Sequence, residues 1–303
     1  MIRFKNDDLV ACGTEISRET TLGRLILFKV QIDEKATTES LGQYLLPIGI
    51  LNFNFGVRSI AQLNSFLVVS EGRNFNVIEI SSSCEMKIIA SYPVRNTIVK
   101  LVVKDDYIFI ADHKDGILIF RFDESTNRIA NVHCDSFVRL MCDVELVNNI
   151  LFGCDKMGNI FAFDNWKLQT MPKTTHKFNI NDIAIRLSST EVALDRDIFG
   201  AMTDETTMLV VRAGTLLGNL ISILILPDTI STILKLIQNE MKSISQFDPL
   251  ESFSMELNCI DGDFLSQYLD ASKEIRVAVS EKCNQNSEFI EFLLKSLNKL
   301  TFS

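Results

Sequence analysis

The chain has 303 residues, 47% of them hydrophobic and 23% charged, a composition that builds one large globular domain or two modest ones and excludes disorder as its main character. Its 39 acidic residues outnumber 30 basic ones, for a formal charge of -9, so no broad field draws in phosphate backbones. Direct, non-specific binding to DNA or RNA is therefore disfavoured. The seven cysteines (Cys12, Cys84, Cys134, Cys142, Cys154, Cys259, Cys283) are odd in number and contain no Cys-x-x-Cys pair, which fits reduced thiols in a cytosolic or nuclear protein.

The first segment, MIRFKNDDLVACGT, carries acids where a secretory signal needs an apolar run, so no signal peptide is expected. From there one unit recurs: an apolar run, a polar turn with Gly or Asp, then a second run rich in β-branched or aromatic residues. Five copies begin at Asp8, Ser65, Asp106, Asn149 and Thr207. Val69 and Ile110 hold matching places, as do Asp112 and Asp155, and this spacing of about 40 residues is that of a four-stranded propeller blade. Weaker strands fall between the hairpins, at Ile98 to Lys104 and at Phe178 to Leu187. The wider gaps before Ser65 and Thr207 hold insertions or extra strands. Gly116, Gly158 and Gly218 stand where tight hairpins require positive φ. An ordinary antiparallel sandwich is the plainer alternative.

The run from Met208 to Leu226 is apolar, but Arg212, Asn219 and two glycines interrupt it, and no membrane span is expected. After Pro227 the period turns helical. With Asp228 as N-cap, Ile230, Ile233, Leu234, Ile237, Met241 and Ile244 fall on one stripe. A break around Pro249 precedes three shorter helical patterns beginning near Asp263, Ser272 and Ser287. In the first, Gly262 makes the turn and Asp263 caps the helix; in the last, Phe289, Leu293, Leu297 and Leu300 share a face. Such short helices need a sheet to dock on. The fold class is mainly β: a WD-repeat-like β-propeller portion of about five blades over 1–226, then a small helical C-terminal domain over 227–303. Five blades with open strand edges imply an incomplete ring, completed by sequence outside this chain or closed irregularly.

Catalysis finds little footing. Of the three histidines, His133 stands beside Cys134, but neighbours on a strand point to opposite faces and could not readily share a proton. His113 lies in a hairpin turn and His176 in a polar loop. Neither zinc-ligand spacing nor a Gly-rich phosphate loop is present, and no cofactor or metal is expected. Asp112, Asp115 and Asp155 sit in or beside hairpin turns, where Asp is favoured for local hydrogen bonding. A propeller hydrolase would require these three to converge on a metal.

The segment CIDGDFLSQYLDAS (Cys259 to Ser272), the helix from Asp228 and AGTLLGNLISIL (Ala213 to Leu224) together resemble the C-terminal region of one superfamily. It contains the large damaged-DNA-binding protein subunit, the A subunit of cleavage and polyadenylation specificity factor and the third subunit of splicing factor 3b. The resembling motifs are Gly214, Thr215 and Gly218 in a hairpin, and Ile260, Asp261, Gly262, Asp263 and Phe264 opening a helical domain, all with structural roles. Phe264 replaces the usual Leu. The resemblance implies most of a third propeller plus the terminal helices.

It further implies a non-catalytic scaffold, nuclear or also cytoplasmic, that binds protein partners and meets nucleic acid only through them. In one branch such a protein adapts substrate receptors to a cullin-RING ubiquitin ligase in DNA repair, and NEMKSISQFDPLESFSM (from Asn239) is similar to that branch. In the others it holds subunits of mRNA cleavage, polyadenylation or splicing complexes. Phe137, Leu140 and Met141, in SFVRLMCDVEL, match positions that the ligase branch presents to its receptors. A degenerate fragment of a longer gene is the remaining possibility.

Overall fold

The structure is a computed structural model that describes residues 2–4, 9–15, 22–32, 43–164, 166, 173–194, 206–244, 247 and 258–302. The break expected around Pro249 lies outside them.

Strands form antiparallel meanders in chain order. The first sheet holds β1 (Ile2–Phe4), β2 (Leu9–Glu15), β3 (Gly23–Ile32) and β4 (Gln43–Phe53). The second holds β5 (Ile60–Leu63), β6 (Phe66–Glu71), β7 (Asn74–Ile80) and β8 (Met86–Pro93). The third holds β9 (Ile98–Lys104), β10 (Tyr107–Asp112), β11 (Gly116–Asp123) and β12 (Arg128–Cys134). A fourth set comprises β13 (Met141–Val147), β14 (Ile150–Asp155), β15 (Asn159–Phe163) and β16 (His176–Asn179). The last is three-stranded: β17 (Ala184–Ala193), β18 (Thr207–Thr215) and β19 (Leu220–Leu224). Each of the five repeat units read from sequence supplies two adjacent strands of a different sheet: β2–β3, β6–β7, β10–β11, β14–β15 and β18–β19. The wide gap before Ser65 holds β4 and β5.

Two compact units divide the chain: 1–156 with 164–173, and 157–163 with 174–303. In the first unit, β6 shows why the sequence reads as continuous apolar runs. Leu67 and Val69 face a core with Leu25 and Leu27 of the first sheet, whereas Phe66 and Val68 face another with Ile108 and Phe120 of the third. A strand buried on both faces needs an apolar residue at every position. Trp166 stacks edge-on against Phe109 at 4.6 Å between ring centroids. Lys100 of β9 bridges to β13, 3.2 Å from Asp143 and 2.9 Å from Glu145.

In the second unit the helices are α1 (Asp228–Lys242), α2 (Gly262–Asp270), α3 (Lys273–Lys282) and α4 (Ser287–Phe302). Ile230, Leu234, Ile237 and Met241 of α1 join Leu293 and Leu297 of α4 in one core, with Met208 and Leu224 contributed by the strands. The docking on a sheet that short helices require is thus present.

Three local expectations change. The N-cap of α1 is Pro227, which makes Asp228 the first helical residue, its carboxylate in a first turn where negative charge is favoured. For α2 the cap is Asp261 rather than Asp263: its Oδ1 accepts from the backbone N–H of Asp263 at 2.9 Å and of Phe264 at 3.1 Å. Gly262 is then the first helical residue, and a Cβ there would meet nothing within 4 Å. Finally, Phe178 to Leu187 is not one strand. It breaks at Asn181, whose φ is +53°, into the end of β16 and the start of β17.

Candidate partner-binding surface

The segment between β12 and β13 is irregular but tightly held. Asp135 is buried, and its backbone N–H donates to Ile117 O at 2.8 Å. Its Oδ1 accepts from the Phe137 N–H at 3.0 Å, and its Oδ2 accepts from Arg139 Nε at 2.7 Å. Both partners of this ion pair are nearly fully buried, with side-chain exposures of 8% and 0%. Charges removed from water attract strongly and tolerate little misalignment, so the pair acts as a clamp across the loop. Gly116 completes the seat: its φ is +84°, and a Cβ would lie 2.9 Å from Asp135 Oδ2 and 3.0 Å from Phe137 O. At the far end, Lys156 N–H donates to Leu140 O at 2.9 Å.

This scaffolding turns apolar side chains outward. Phe137 is 60% exposed, Val138 83% and Leu140 37%. The Arg139 guanidinium lies 5.4 Å from the Phe137 ring centroid, close enough for a cation–π contact. Met141 differs from the other two sequence candidates. It is 1% exposed in β13 and offers no surface. Val138 is the most exposed of the group and was missed in sequence, where nothing separates it from a core valine.

The Gly-Thr hairpin is ordered differently. Thr215 Oγ1 accepts from the Asn219 N–H at 2.9 Å, Thr215 N–H donates to Asn219 O at 2.9 Å, and Gly218 takes φ +90°. Asp182 is the hub: its Oδ1 accepts from the Ile183 N–H at 2.6 Å and its Oδ2 from the Leu217 N–H at 3.4 Å. The Thr215 hydroxyl bond and these N–H bonds hold the Asp182 carboxyl below its ordinary value. Gly214 has open space where a Cβ would sit.

The remaining sequence candidates lie in strands, turns and a helix entry. Asp112 is fully buried; its Oδ1 accepts from the N–H groups of Lys114 and Asp115 and from Asn96 Nδ2 at 2.9 to 3.0 Å. Asp115 pairs with Arg95 at 3.6 Å. Asp155 is buried at the end of β14. His133 and Cys134 occupy consecutive positions of β12, paired with Ile119 and Leu118 of β11. Burial pushes the thiols of Cys142, Cys154 and Cys283 above their ordinary value, away from nucleophilic thiolate. Among the described residues no three His, Cys, Asp or Glu side chains come together to hold a metal ion, and no helix is long and apolar enough to cross a membrane. Ile260, Asp261, Gly262, Asp263 and Phe264 lie at the entry to α2, with Asp261 N–H also donating to Gln238 Oε1 of α1 at 2.8 Å.

A β-rich chain with these two motifs, Gly-Thr hairpin and Ile-Asp-Gly-Asp helix entry, falls into a known class: it belongs to the CPSF A subunit region family, whose family model matches residues 3–270. That family lies within the superfamily named above for its members in mRNA cleavage and polyadenylation, in splicing and in damaged-DNA binding. Among individual relatives, Pre-mRNA-splicing factor RSE1 of Candida albicans is 24% identical over 74% of this chain and 20% of its own length. An uncharacterized protein of Schizosaccharomyces pombe is 23% identical over 61% of this chain and 18% of its own. The matched stretch thus spans about a fifth of each relative.

Proposed function

We propose that this chain is a non-catalytic interaction scaffold of a nuclear pre-mRNA splicing or 3'-end processing assembly. The carrying observation is the family match over residues 3–270 together with the similarity to a pre-mRNA-splicing factor. These relatives favour the RNA-processing reading over the ligase adaptor that the sequence alone put first. The five successive antiparallel sheets are read as blades of a β-propeller portion over 1–226, and the helices over 227–303 as its C-terminal domain. RNA is met through partner subunits, in keeping with a net charge of -9.

Partners dock on the clamped loop, where Phe137, Val138 and Leu140 offer apolar area at low entropic cost because Asp135 and Arg139 have already ordered the backbone. Met141, buried in β13, takes no part in that surface. The test is affinity purification of the tagged chain from nuclear extract, followed by identification of subunits. Splicing or 3'-end processing subunits should be recovered, and recovery should fall at least tenfold with Phe137→Asp or Leu140→Asp while the melting temperature is retained. Recovery of cullin-ligase subunits instead, or of neither class, overturns the reading.

A further inference from the structure

Each sheet ends in an outer strand, and a strand edge with free N–H and C=O groups is a template for pairing that natural proteins guard with charge or cover. Most outer strands here follow that rule. β8 carries Lys87, β12 carries Arg128 and His133, and β16 carries His176 and Lys177. The uncharged β19 has Leu224 packed into the helical core. β4 does neither. Its sequence, QYLLPIGILNF, contains no charged residue, and it is the longest outer strand at 11 residues. Among the described residues it pairs only with β3, and Tyr44, Leu45, Leu46 and Ile50 are all exposed.

The neighbouring strand says what would cover it. Arg24 and Lys29 of β3 stand opposite Asn52 and Leu46 of β4, near the two ends of the exposed run. Both are exposed, and among the described residues neither side chain has an ion pair. Strands lie about 4.8 Å apart, so an added strand would run about 10 Å from β3, where a Lys or Arg side chain can meet a Glu. Local positive charge beside an uncharged apolar edge, in a chain of net charge -9, is complementary to an apolar strand with acidic flanks.

We propose that β4 is a β-augmentation site that takes an extended, apolar peptide segment of a partner protein, with acidic residues flanking the segment. Main-chain hydrogen bonds extend the first sheet, and alternate apolar side chains of the partner pack beside Ile50 on one face and Leu46 on the other. Pro47 has no N–H to donate, and the irregularity in register opposite Leu27 and Phe28 interrupts the ladder there, which limits the docked length. This site is separate in kind from the clamped loop and does not depend on it.

The probes are two fluorescent 9-residue peptides with an alternating Val-Thr centre, one flanked by Glu and the other by Lys, titrated into the full chain by anisotropy. The Glu-flanked peptide should bind at least tenfold more tightly. Ile50→Asp and Leu45→Asp, at exposed positions that should leave melting unchanged, should each abolish the difference by placing negative charge on the edge, and the double variant Arg24→Glu with Lys29→Glu should invert it. A Glu-flanked peptide with a central Pro, unable to pair, should not bind. Equal binding of both peptides, undiminished binding of the Pro peptide, or no binding overturns the proposal. Concentration-dependent dimerisation abolished by Ile50→Asp also overturns it, by assigning the edge to a second copy of this chain.

Discussion

Two loops in different units expose apolar side chains, and they are ordered by opposite means. The segment from Asp135 to Leu140 is held from beneath by a buried ion pair and a glycine seat. The hairpin from Thr215 to Asn219 is held from outside by a hydroxyl and by the solvent-facing carboxylate of Asp182. Coulomb attraction grows as the local dielectric falls, and screening by salt reaches exposed charges first. The first loop should therefore be stiff, salt-insensitive and costly to break. The second should be individually weak at every bond and tolerant of change.

The sharpest way to break this contrast is Arg139→Ala, which leaves Asp135 buried without its cation. Removing one member of a buried pair costs about 3–5 kcal/mol, so a large fall in the urea midpoint is expected. The loss should be nearly the same at low and high salt. A cost below about 1 kcal/mol would mean that packing, and not the ion pair, orders the loop.

Next in size is Gly116→Ala, where positive φ and a contact of 2.9 Å to Asp135 act together. Strain of this kind costs about 1–3 kcal/mol, measurable by thermal unfolding. Gly214→Ala, in β18 just before the other loop, is its counterpart: with nothing near the new Cβ, stability should stay within about 0.5 kcal/mol.

The smallest effect concerns protonation. Thr215→Val removes two hydrogen bonds, the one accepted from Asn219 N–H and the one donated to Asp182, and with the second the largest influence on the Asp182 carboxyl; a small loss of stability is expected. A carboxyl whose folded value is depressed stabilises the fold above its unfolded value and loses that contribution as pH falls through the folded one. NMR titration should show the Asp182 carboxyl moving up toward its ordinary value in the variant. The stability gap between variant and parent should narrow in acid. An unmoved titration would transfer the depression to the backbone N–H bonds.

Much of this was legible in the chain. Paired apolar runs located all five hairpins and turn glycines marked three of them (Gly116, Gly158 and Gly218), because a strand buried on both faces must be apolar throughout and a positive φ selects glycine. The stripe from Ile230 to Met241 located α1 for the same kind of local reason. The clamp was not legible. Asp135 and Arg139 sit four apart in a segment without helical period, and the glycine that seats them lies in a different turn. Asp182 was hidden likewise, since its partners come from a hairpin far along the chain. The cap of α2 was misplaced because two aspartates flank Gly262 and only the fold shows which one meets free N–H groups. Phe137, Val138, Leu140 and Met141 look alike in sequence, yet three are exposed and one is buried.

Sequence by itself determined the periodic part of this protein: where the five hairpins recur, where helices begin to replace sheets, and which family motifs are present. Those properties follow from side-chain spacing and local φ preference, which act over a few residues. Tertiary structure decided which apolar residues face solvent, which acids are clamped and which strand edge has no second partner among the described residues. Such properties depend on what packs against each face, and burial and desolvation are set by neighbours that the linear order does not bring together.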